Sequence, residues 1–202
     1  MTRKLVVDAF VSLDGVMQAP GGPDEDTTSG FPYGGWQFGY GDEAVGEYIT
    51  AFTDKPYDLL LGRTTYEIFN SYWPHQEGPM ADGLNTAHHY VASRTLRSAP
   101  WKESTIIRDV PTEVAKLKQE DGPEIQTWGS TILLQTLWEH DLVDAINVLT
   151  YPVTLGNKWK HLFGDGTIAA GFKVVDSQIS PTGIIMARYE RAGDVKIGSF
   201  DQ

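Results

Sequence analysis

No cysteine occurs among the 202 residues. That absence excludes disulfides, thiolate metal sites and cysteine nucleophiles together, and it fits a cytoplasmic protein. Long apolar runs are missing too, with no stretch approaching the roughly 18 residues a membrane-spanning helix needs. The start, Met1-Thr2-Arg3-Lys4-Leu5-Val6-Val7-Asp8, has basic residues but no extended apolar core or cleavage site. It reads as a first strand, not a signal peptide. Positive charge is scarce, since 16 Lys and Arg face 27 Asp and Glu for a formal net charge of −11. A phosphate backbone demands a basic face, so nucleic acid is not expected as a partner. A small phosphorylated ligand is still allowed, because a few arginines can build a positive pocket on an acidic surface. Histidines in ligand spacing are also lacking. His88 and His89 would face opposite ways in a strand, and His75, His140 and His161 stand apart, so no metal site is expected. Without repeats or low-complexity linkers, residues 1–202 are expected to form one domain.

What is present is an alternation of strands and helices. Lys4 to Ser12 is a central strand, ending in the turn signal Asp14-Gly15. Residues 17–41 are dense in Gly, Pro and aromatics, a composition that suits a lid or pocket wall, or a packed surface loop. Asp42 to Phe52 spaces Val45, Tyr48, Ile49 and Phe52 on one helical face. Further strands are expected at Leu59–Leu61, His89–Ser93, Thr105–Ile107, Glu124–Trp128 and Val143–Thr150, with helices between most of them. Phe172–Ser180 and Gly183–Arg191 read as an antiparallel hairpin. The pattern is α/β, a mostly parallel central sheet covered on both faces, with the C-terminal antiparallel hairpin at one edge.

Two strand-to-helix corners carry polar chemistry. In Leu61-Gly62-Arg63-Thr64-Thr65-Tyr66-Glu67, Gly62 permits a tight turn or a close approach. Thr64 with Glu67 three residues on has the capping-box pattern, so a helix is expected to start there. A helix N-terminus favours a phosphate, and Arg63 adds a forked cation. Gly129-Ser130-Thr131 repeats this logic before an apolar helix, and Ser93-Arg94-Thr95 ends a third strand. Open α/β sheets bind ligands at such strand ends. Three of them could hold the separate phosphates of a dinucleotide, although no G-x-G-x-x-G fingerprint occurs.

Taken in order, these residues resemble the dihydrofolate reductases and the reductase domain of bifunctional riboflavin-biosynthesis deaminase–reductases. Leu61 to Glu67 is similar to the G-R-x-T-x-E segment of the former, and Val91-Ala92-Ser93-Arg94 to its next cofactor strand. Trp128-Gly129-Ser130-Thr131 resembles its glycine-pair motif, with Ser130 replacing the second glycine. Ser12-Leu13-Asp14-Gly15 is closer to the riboflavin-pathway domain. The resemblance implies a three-layer dihydrofolate reductase-like fold that binds NADPH. Gly62, Arg63, Thr64 and Thr65 would meet the cofactor's phosphates, and Ser93 and Arg94 the adenosine ribose and its 2′-phosphate. Gly129, Ser130 and Thr131 would lie under the pyrophosphate and nicotinamide side.

The same resemblance implies hydride transfer to a small pterin-like or pyrimidine-like heterocycle, and a homodimer. The alternatives are a true dihydrofolate reductase, the riboflavin-pathway reductase, and a nucleotide-binding module without chemistry. Dihydrofolate reductases carry a buried carboxylate on the helix after the first loop. Asp42, Glu43 and Glu47 occupy that helix here, and Asp14 is a further candidate proton donor. Each competes with an ordinary role as a solvated or turn-forming carboxylate. Trp36 is the aromatic best placed to stack on a planar ring.

Overall fold

The computed structural model describes residues 2–102 and 104–200. Eight strands form one sheet in the order β4-β3-β2-β5-β1-β6-β8-β7. They span Leu5–Ser12 (β1), Tyr57–Gly62 (β2), His89–Ala92 (β3), Ser104–Ile107 (β4), Glu124–Trp128 (β5), Ala145–Tyr151 (β6), Phe172–Ile179 (β7) and Ile185–Arg191 (β8). The first six are mutually parallel, and β8 and β7 run antiparallel at the β6 edge. The expected α/β sheet with its terminal hairpin is therefore present.

Helices cover both faces. Glu43–Thr53 (α1), Arg63–Tyr72 (α2) and Pro79–Thr86 (α3) lie on one side, Val110–Leu117 (α4) and Thr131–Glu139 (α5) on the other. Strand alternation explains the division. Leu5, Val7, Ala9 and Val11 of β1 pack against Leu133, Leu134 and Leu137 of α5, and Phe10 faces α1. Leu59, Leu60 and Leu61 are fully buried because β2 is covered on both faces. Asp42 starts α1 by accepting from the Val45 amide at 3.0 Å.

Residues 17–41 form a packed wall, not an open loop. Phe31 is buried edge-on against Trp159, and the Trp36 indole donates to the Gln18 carbonyl at 2.8 Å. Trp36 meets Tyr151 edge-on, with ring centroids 5.2 Å apart.

Arg3 ties three segments together at the base of the sheet. Its guanidinium pairs with Asp58 of β2 and donates to the Pro123 carbonyl just before β5, from a buried position. Removing one partner of a buried pair leaves an uncompensated charge. Asp58→Ala is expected to lose roughly 3–5 kcal/mol of stability, read as a lower midpoint in urea unfolding.

Candidate active site

β2 and β5 are neighbours, yet the chain leaves them in opposite directions. From β2 it runs outward to β3, and from β5 it crosses back over β1 to β6. α2 therefore departs on one face and α5 on the other, which opens a crevice at the strands' C-terminal ends. This reversal is the place where open α/β sheets take their ligands.

The two corners bounding the crevice are joined to each other. The Gly62 amide donates to Ser130 Oγ at 2.9 Å, and the Ser130 amide donates to Thr65 Oγ1 at 3.1 Å. Ser130 Oγ in turn donates to the Trp128 carbonyl at 3.1 Å. Gly129 and Ser130 both have positive φ, 59° and 58°. So the serine adopts the left-handed conformation that a glycine pair takes easily, and three hydrogen bonds hold it there. A Cβ on Gly129 would lie 3.3 Å from Thr65 Oγ1, so the corners also fit closely.

Two sequence expectations are corrected at the first corner. Thr64 does not cap α2, which begins one residue earlier with Gly62 at the N-cap and no side-chain cap. Glu67 instead accepts from Arg63 Nε at 2.7 Å, one helical turn away, so it is not free to reach back to the helix start. Gly62 has φ −68°, which any residue can adopt, and an added Cβ would meet only ordinary contacts at 3.5 Å. Neither a turn nor crowding by the protein requires glycine there. α5 likewise starts without a side-chain cap. Two helix N-termini with uncapped amides thus flank one crevice.

The third strand end adds positive charge. Ser93 Oγ accepts from the amides of Thr95 and Leu96, and Arg108 donates to the carbonyls of Ser93 and Leu96, which fixes this turn. Arg63 reaches across to Thr95 Oγ1 at 3.0 Å. Arg94 is exposed and has no hydrogen bond or ion pair within the described residues.

The candidate carboxylates lie elsewhere. Glu43 and Glu47 are exposed on the solvent side of α1, lining a shallow depression with Thr50 and Asp54. Asp14 accepts from the amides of Leu155 and Gly156, at 3.0 and 2.6 Å, and from the Ser12 hydroxyl. These bonds hold its carboxyl below the usual carboxylate range against the opposing cost of burial, and they pin the 152–160 loop to the end of β1. Asp42 is occupied as the α1 cap and by Thr182.

The buried titratable group near α1 is one the sequence reading passes over. Asp8 of β1 is 2% exposed, faces α1, and accepts from Asn147 Nδ2 at 2.6 Å. Burial pushes its carboxyl up to about 8, against the lowering effects of Asn147 and Arg188. Sheet register places it in a row that crosses five strands: Asp176, Arg188, Asn147, Asp8 and Trp128. The only local signal is a charged residue inside the apolar run Leu5-Val6-Val7-Asp8-Ala9-Phe10.

This combination of sheet order and corners matches the outcome of comparison with known proteins. The family model described as the RibD C-terminal domain matches residues 3–186. The chain belongs to the RibD C-terminal domain family. Among curated relatives, the uncharacterized Bacillus subtilis protein YyaP is 26% identical over 200 residues, covering 95% of this chain and 96% of the relative. The uncharacterized protein YwjB of the same organism is 27% identical over 164 residues, covering 78% and 81%. Solved structures share the fold. One described as a riboflavin biosynthesis protein from Shewanella sp. PV-4 superposes with a TM-score of 0.71 at 19% identity, covering 95% of this chain and 99% of the other. A pyrimidine reductase-like protein from Corynebacterium diphtheriae gives 0.65 at 13% identity, covering 95% and 93%.

If Ser130 is the clamp between the corners, its two variants should differ in a defined order. Ser130→Ala loses the hydroxyl bonds and keeps the positive φ, for a cost of about 1–3 kcal/mol. Ser130→Gly relieves the backbone and should lie closer to wild type. Thermal melts of the three proteins check the order.

Proposed function

We propose that this protein is an NADPH-dependent reductase of a small pterin-like or pyrimidine-like heterocycle. The observation that carries this reading is the pair of stapled, uncapped corners at the β2/β5 reversal. Backbone amides of Arg63, Thr64 and Thr65 on one side, and of Thr131 after Gly129-Ser130 on the other, suit two linked phosphates. Gly62, where the protein itself makes no demand for glycine, leaves room for a ligand to approach the backbone. Arg94, which has no hydrogen bond or ion pair within the described residues, with Ser93 beside it, suits a 2′-phosphate and hence NADPH over NADH. Family membership supports the same reading.

When bound, such a cofactor supplies hydride. The chain's own part is to orient it and exclude water, with the 17–41 wall and α1 covering the same sheet face as the Trp128 end of β5. Neither Asp14 nor Glu43 nor Glu47 presents a free buried carboxyl, and the buried carboxyl of Asp8 stands on β1, not on the helix after the first loop where dihydrofolate reductases carry theirs. NADPH titration followed by fluorescence should show saturable binding. Arg94→Ala should weaken it roughly tenfold or more, the scale of one charge-assisted bond, with NADH little changed. No saturable signal in wild type would remove the reductase reading. Bound NADPH that no pterin or pyrimidine oxidises would instead mark a non-catalytic nucleotide-binding module.

We also propose a homodimer. β7 is an edge strand on which Val174, Val175 and Ile179 are exposed, next to exposed Ile185 of β8, an arrangement that invites pairing. Light scattering should give twice the 22.4 kDa chain mass. Ile179→Lys should shift it to the monomer. A wild-type monomer at micromolar concentration would refute the pairing.

A further inference from the structure

The C-terminal hairpin stands outside the layered body. Of the apolar side chains of β7, only Phe172 packs against a core cluster among the described residues. Val174, Val175 and Ile179 are exposed, and so is Ile185, the register partner of Ile179 on β8. The tip of the hairpin is nonetheless tied down. The Thr182 amide donates to Asp42 Oδ2 at 3.2 Å, and the Thr182 hydroxyl donates to the Tyr40 carbonyl. Asp42 caps α1 and Tyr40 lies at the end of the 17–41 wall, so the tip holds these two covering parts together.

Beyond β8, residues 194–200 carry apolar side chains that the chain itself does not cover. Val195, Ile197 and Phe200 are exposed, Ile197 to 94%, and none of the three joins a core cluster. Single exposed apolar side chains are ordinary, whereas three within six residues make a patch. Val195 and Ile197, two apart, share one side of an extended chain.

The point from which this tail leaves is fixed. Gly193 turns the chain at φ 84°, and its carbonyl accepts from the Gly171 amide at 2.7 Å. The Ala192 amide donates to the Gly171 carbonyl at 2.8 Å. A Cβ on Gly171 would lie 2.9 Å from the Asp194 carbonyl oxygen, so the tail starts pressed against the segment that enters β7. β8 ends beside Phe172, and the tail continues past that end of the sheet's edge strand.

Symmetry then says what lies there. A two-fold pairing of β7 edges runs the two strands antiparallel, which sets the Phe172 end of one beside the Ile179 end of the other. Each tail therefore starts next to the partner's hairpin tip, where Ile179 and Ile185 are exposed. From β8 to the partner's β7 is two strand spacings, about 10 Å. Seven extended residues reach up to roughly 23 Å, enough to cross that gap and lie over the tip.

We propose that residues 194–200 form an exchanged arm, which docks Val195, Ile197 and Phe200 onto Ile179 and Ile185 of a second copy of this chain. That the copies pair through β7 rests on the homodimer reading; the arm is an addition to it. The contact is reciprocal, two arms on two tips, so it closes at the dimer. Each arm lands on the tip that holds its partner's α1 and 17–41 wall together.

The absence of cysteine allows a direct test, because introduced thiols have no competitors. A chain carrying both Ile197→Cys and Ile179→Cys, treated with a short bismaleimide, is expected to give a covalent dimer on denaturing gels. Each single variant should stay at the monomer mass, since like positions lie at opposite ends of the pairing. A link within one chain, or no link, would overturn the arm. Dimer dissociation, measured by analytical ultracentrifugation, keeps the test open if Ile179→Cys itself weakens the pair. A chain ending at Gly193, and Ile197→Asp in the full chain, should each dissociate at least about tenfold more readily than wild type, the scale of burying one large apolar side chain. Their circular dichroism should be unchanged, because the arm lies outside every core cluster. A wild-type dimer indifferent to both changes removes the arm and leaves the pairing. A wild-type monomer removes the pairing and the arm with it.

Discussion

The hydroxyl of Ser130 is the point on which the crevice depends. It takes a hydrogen bond from the end of β2 and gives one to the end of β5, while its own amide is held by Thr65 of α2. The ladder between β2 and β5 pairs Tyr57 to Leu59 with Glu124 to Gln126 and stops short of both helices, so the clamp supplies the hydrogen bonds between the corners themselves. The left-handed conformation of a non-glycine residue costs roughly 1–2 kcal/mol. Three hydrogen bonds at about 1 kcal/mol each are enough to offset it. A serine here therefore makes a stiffer corner than a second glycine, because its geometry is held by bonds instead of merely being permitted.

The same sheet face is divided by chemistry along its strands. Toward the C-terminal ends, Phe10, Trp128 and Tyr151 form an aromatic cluster with Phe52 of α1 and Trp36 of the 17–41 wall. Toward the N-terminal ends, Asp8, Gln126, Asn147 and Arg188 form a polar layer. α1 crosses both. Its seat on the aromatic half places it over the polar half, where Asp8 Oδ2 is buried without a hydrogen-bond partner among the described residues.

How much of this could be read in the sequence follows from how far apart the participating residues lie. The corners are local: a buried strand, a glycine, a polar pair and an apolar helix follow one another within about ten residues, and such patterns carry their own physics. Even so, Thr64 and Glu67 suggested a cap that Arg63 forestalls, because an i,i+4 ion pair and a capping box compete for the same glutamate. The conformation of Ser130 was not legible, since its hydrogen-bond partner lies 68 residues away. The polar row was still less so. Its members at positions 8, 128, 147, 176 and 188 meet only once strand order and register are fixed, and a shift of one residue in any strand would turn that member to the other face.

Trp128 connects the polar row to the β5 corner of the crevice. It is the register partner of Asp8 at one end of the polar row, and it immediately precedes Gly129-Ser130 at the β5 corner of the crevice. Its carbonyl accepts from Ser130 while its indole donates to Gln126. A movement of Gln126 must therefore act on the residue whose carbonyl anchors the Ser130 clamp. A displacement of the Ser130 clamp would act on the same residue from the other side. Coupling of this kind is reciprocal in free energy, and here it has one short route, a single side chain and its own backbone.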